Sequence, residues 1–152
     1  MYPRISNLNR RQAMTVAGAA AAAALVIAAP SVALAREDLQ GALRELAGKV
    51  FYSADRPGRW KGKEKVHSPL IKVDKDGNDL LIRAATQHAM SDDHFIIKHI
   101  LLDAKLNVLS EKLFDKIFDM PRSRFALNGY SGRLYIVSVC NVHDNWINWT
   151  DA

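Results

Sequence analysis

From Pro69 to Cys140 the sequence is a series of short β-rich runs divided by turn signals, a pattern few folds satisfy. "LIKV" and "DLLIRAA" flank "DKDGN", a hairpin signal; "HFIIKHILL" and "VLSEKLF" flank "DAKLN"; "RFAL" and "RLYIVSVC" flank "NGYSG". Branched and aromatic side chains suit a pleated surface, whereas Gly, Asn and Asp suit the turns. About seven short strands at this spacing predict an all-β fold, an antiparallel sandwich or small barrel. Ahead of them, "EDLQGALRELAGKV" over 37–50 places Leu39, Ala42, Leu43, Leu46 and Val50 at helical spacing, which predicts one short N-terminal helix. The stretch between, with Pro57, Gly58 and Gly62 among many charges, reads as an irregular surface loop.

Residues 1–35 read as a leader rather than as fold. Arg4, Arg10 and Arg11 stand with no acid, followed by an Ala-rich run to Ala29, then Pro30 and the small-residue ending "SVALA". This is the layout of a secretory signal peptide, and Arg10-Arg11 resembles the twin-arginine type that exports folded proteins, here to the periplasm. A bilayer span needs about 20 strongly apolar residues, so no stable membrane anchor is expected. Removing three arginines and no acid lowers the formal charge from +5 to +2. A nucleic-acid partner thereby loses its main support. Residues 36–152 suffice for one compact domain.

In an oxidising compartment a lone thiol invites mispairing, yet Cys140 is the single cysteine. It ends an apolar run and opens "CNVHDN", at the mouth of a loop rather than inside a strand. Of the five histidines, His67 stands in "VHSP", His88 and His94 bracket the turn in "HAMSDDH", and His143 follows Cys140 by three residues. All four fall at strand ends or in loops, where a sandwich gathers side chains from separate segments. His99 lies in mid-strand, at odd separation from His94, and is expected on the other face and outside the site.

These segments resemble the superoxide reductases, the neelaredoxins and desulfoferrodoxins. The family order is a Glu-Lys-His-Val-Pro-like segment, His-Pro-Met, His-Tyr-Ile, then Cys-Asn-x-His-Gly; here "EKVHSP", "HAM", "HFI" and "CNVHD" follow in that order. The resemblance spans roughly 58–149 and implies an immunoglobulin-like antiparallel β-sandwich. It further implies a mononuclear iron, Fe2+/Fe3+, held by His67, His88, His94 and His143 in a plane with the Cys140 sulfur on the axis. The implied reaction is one-electron reduction of superoxide to hydrogen peroxide, the electron coming from an external donor such as a rubredoxin-like or other redox protein; a homo-oligomer is a further partner expectation. Nitrogen donors with one thiolate suit redox-active iron better than four-coordinate zinc. A non-catalytic iron-binding or redox-sensing module is the alternative.

Three departures from the family pattern bear on mechanism. Glu64 and Lys65, matching the pair that caps the iron and draws in superoxide, are separated from His67 by Val66, and in extended backbone one extra residue reverses a side chain. Ala89 replaces proline after His88. Asp144 replaces glycine after His143, which matters only where the backbone needs positive φ, a conformation Asp tolerates better than most residues.

Overall fold

A computed structural model describes Gly41 and residues 43–152 of the 152-residue chain. The expected leader over 1–35 and the first part of the expected N-terminal helix lie outside the described residues; within them, residues 43–46 are helical.

The ordered elements are β1 (Phe51–Tyr52), a 3-10 turn (Gly58–Trp60), α1 (Glu64–His67), β2 (Leu70–Asp76), β3 (Asp79–Ala85), β4 (Ile96–Leu102), β5 (Val108–Leu113), β6 (Arg122–Asn128), β7 (Arg133–Cys140) and β8 (Asp144–Asp151). They form a β-sandwich of two sheets, one ordered β1-β8-β7-β4-β5 and one ordered β2-β3-β6. All pairings are antiparallel except that of β1 with β8.

Alternation along the strands decides which face is buried. In β3, Leu80, Ile82 and Ala84 point inward, and register sets Ile82 opposite Phe125 of β6. Leu101, Leu134 and Ile136 from the other sheet close on them. Each of the leucine, isoleucine and phenylalanine side chains, removed from water, contributes about 1.5–3 kcal/mol. Gly77 at φ 57 turns the β2–β3 hairpin, as "DKDGN" predicts.

Two features of the strand order go beyond what the local sequence states. The turn "NGYSG" does not close a hairpin: β6 pairs with β3 while β7 pairs with β4 and β8, so this turn carries the chain from one sheet to the other. Turn chemistry marks where a strand ends but not which partner it takes. The polar-looking 144–151 is a further strand, with Trp146 buried in the core and Trp149 half exposed under the Arg133 guanidinium, 3.9 Å from its ring centre.

His99 lies in the interior, as its parity in β4 requires. Its Nε2 meets Thr86 Oγ1 at 2.9 Å and its Nδ1 meets Ser123 Oγ at 2.9 Å; Thr86 in turn donates to Ser138. This polar seam joins the sheets and leaves the imidazole fully satisfied.

Candidate metal centre

Three local devices deliver the four histidines to one end of the sandwich. For His67 the device is α1, a single helical turn: Glu64 reaches back to accept the Gly62 N–H (2.9 Å), and Pro69 prevents its continuation, leaving Ser68 extended. His67 is buried, and its Nδ1 lies 2.9 Å from the Lys63 carbonyl one turn back. A carbonyl only accepts, so Nδ1 carries the proton and Nε2 is a free lone pair. Burial pushes this imidazole down to about 4, so the ring is neutral near pH 7.

His88 follows β3 and His94 precedes β4, joined by a turn in which Ser91 donates to the His94 carbonyl (2.9 Å) and accepts the His94 N–H (3.1 Å). Asn141 ties this turn to the cysteine loop: its Oδ1 accepts the Phe95 N–H at 2.8 Å and its amide donates to the Asp93 carbonyl at 2.9 Å. Cys140 is buried at the end of β7. Burial raises its thiol, while the N–H groups of Val142 and His143, 3.5 and 3.3 Å from Sγ, act against that by favouring the thiolate. The His143 backbone carbonyl accepts the Trp146 indole N–H, which fixes the start of β8.

The donor atoms converge. His94 Nε2 lies 2.9 Å from His88 Nε2, 2.8 Å from His143 Nδ1 and 3.4 Å from His67 Nε2; His143 Nδ1 is 3.8 Å from Cys140 Sγ. One donor atom from each of His67, His88, His94 and Cys140 lies within 4.8 Å of the others, a group able to hold a metal ion. The donor chemistry fits such an ion. A ring nitrogen bears either one proton or one lone pair, so His94 Nε2 cannot satisfy three ring neighbours through protons. A shared cation satisfies every lone pair at once.

Against this cluster lies the 58–64 loop. The Trp60 ring meets His143 edge-on at 4.6 Å, and Trp146 stacks on His67 at 5.5 Å. The structure differs from the extended backbone assumed around Glu64 and Lys65: the segment is helical. At 100° per residue Lys65 stands across the turn from His67 and is exposed, whereas Lys63 stands one full turn before it. After burial, the positive charge of Lys63 holds down His94, and it does the same at His143 behind burial and His94. Lys63 is the residue that the sequence reading missed. Reading "KEKVH" as one helical turn, bounded by Gly62 and Pro69, would have found it through its spacing of four from His67.

The family model Desulfoferrodoxin matches residues 59–149. The chain belongs to the desulfoferrodoxin family. Solved structures agree in fold. The superoxide reductase (neelaredoxin) of Ignicoccus hospitalis is 25% identical, with a TM-score of 0.58 over 68% of this chain and 94% of that one. An engineered form of the same Ignicoccus protein reaches 26% identity and a TM-score of 0.61 over the same shares. A superoxide reductase in the oxidised state shares the fold at 23% identity, with a TM-score of 0.55 over 72% of this chain and 98% of that one. No curated protein matches the sequence.

Within this desulfoferrodoxin chain, the departure at Asp144 has a structural reason: its φ is 60°, the left-handed conformation in which Gly is easiest and Asp tolerable.

Proposed function

We propose that the chain is a mononuclear non-haem iron superoxide reductase, exported by its twin-arginine-like leader to the periplasm. The observation that carries this reading is the crowding of His94 Nε2 by three other ring nitrogens beside the Cys140 sulfur. His67, His88 and His94 would hold iron through Nε2, His143 through Nδ1 and Cys140 through Sγ. Iron in such a set supplies one-electron reducing power and a net positive charge that favours a small anion.

The protein's own residues do the rest. Burial keeps the rings neutral and ready to ligate. The two N–H groups on Cys140 favour the thiolate, and Lys63 supplies a cation beside His94 and His143 that draws in superoxide. In this reading Lys63 takes the steering role expected of Lys65, while Glu64, its carboxylate engaged by the Gly62 N–H, shapes α1. Superoxide takes up one electron and two protons and leaves as hydrogen peroxide; an external reductant returns the electron. The displaced Glu64-Lys65 pair favours a second reading, an iron-binding redox sensor that does not turn over.

Iron-loaded protein is expected to consume superoxide in proportion to added reductant and to yield peroxide without dioxygen. Iron binding without consumption supports the sensor. Uptake of zinc with exclusion of iron refutes both.

A further inference from the structure

Asp144 connects two segments that lie 84 and 85 positions apart in sequence. Its Oδ2 accepts from the Arg59 guanidinium and, at 2.8 Å, from the Trp60 indole N–H. Arg59 also lies over the Trp60 ring, 4.9 Å from its centre, so the two donors hold one another in place. Asp144 directly follows His143, and Trp60 meets the His143 ring edge-on. The same short loop leads through Trp60, whose carbonyl accepts the Lys63 N–H at 2.9 Å, into α1 and His67.

We propose that Asp144 is a positioning residue, a carboxylate latch that holds the 58–64 loop against the histidine cluster through Arg59 and Trp60. The latch sets how Trp60 confines the His143 ring and where Lys63 stands relative to the cluster. Its bearing on turnover rests on the function proposed above; the latch itself does not. At a left-handed residue the expected occupant is glycine, which would leave the loop without its acceptor, so the aspartate accepts backbone cost in return for two donors.

The backbone conformation supplies a clean test, because Asp144→Gly removes the carboxylate while easing φ and so preserves the fold. Amide exchange at Trp60 and Lys63, whose N–H groups bond to Pro57 and Trp60 within the loop, is expected to quicken roughly tenfold in D144G. Arg59→Gln and Asp144→Asn should each fall between, since each keeps one arm of the latch. Unchanged exchange in D144G overturns the latch. For positioning, cobalt(II) is the probe: the visible spectrum of the cobalt-loaded D144G protein is expected to shift, with partial return in D144N. Faster exchange with identical cobalt spectra overturns the positioning role and leaves only a surface tether. Failure of the wild type to consume superoxide sinks the proposed function, while exchange and cobalt spectra still decide the latch.

Discussion

At the scale of the residue, position within a turn or strand decides whether a histidine is a donor or a core group. His99 and His94 are five apart across the start of one strand, yet one bridges the sheets through Thr86 and Ser123 and the other faces His88 and His143. Burial alone pushes His99 down to about 4, below the 6.5 of an exposed imidazole. As pH falls from 6.5 towards 4, the unfolded chain takes up a proton that the folded core refuses, so stability present above 6.5 is lost through that window. The urea midpoint of wild type should therefore drop more than that of His99→Gln, which does not titrate, between pH of about 7 and about 4.5. His99→Leu removes the ring partner of Ser123 and leaves Thr86 with Ser138 alone, and should cost about 1–3 kcal/mol while leaving metal uptake intact, checked by urea unfolding and metal analysis. For the proposed activity, Lys63→Ala should slow superoxide capture severalfold and flatten its salt dependence, with Lys65→Ala close to wild type; stopped-flow capture at several ionic strengths separates the two.

At the scale of the element, most of the fold was legible because hydrophobic alternation and turn residues are local. The β2–β3 hairpin follows from "DKDGN", and the two long strands around His99 follow from their apolar runs. Strand partners were not legible: the β6–β7 turn joins sheets, and nothing local states that β7 lies beside β4. The gathering of His67, His88, His94 and Cys140, a group able to hold a metal, with His143 beside it, was legible because all five flank strands. The charged pair was not, because "KGKEKVH" reads as loop and its single helical turn depends on Gly62, Glu64 and Pro69 acting together. The loop is seated by Gly58, at φ 50, where an added Cβ would stand 2.2 Å from the Gly48 carbonyl oxygen. Gly58→Ala must displace one backbone or the other. A loss of about 2 kcal/mol or more in unfolding free energy is expected, with weaker cobalt affinity because α1 moves with the loop.

At the scale of the whole molecule, the donor group draws on both sheets. His67 and His88 adjoin β2 and β3 of the three-stranded sheet, while His94, Cys140 and His143 adjoin β4, β7 and β8 of the other. A metal held by them ties the two layers together, and binding to the folded state alone raises stability by mass action. Loading with iron or cobalt should raise the thermal midpoint by several degrees, reversed by a chelator; an unchanged midpoint in calorimetry would count against a shared ion.

Because these donors come from segments as far apart as α1 and β8, no early fragment of the chain owns a complete binding pocket. A metal shared by the whole set would therefore gain its last donors only once both layers have met. Completion of such a pocket is thus a late event in the assembly of the chain, set by its longest-range contacts.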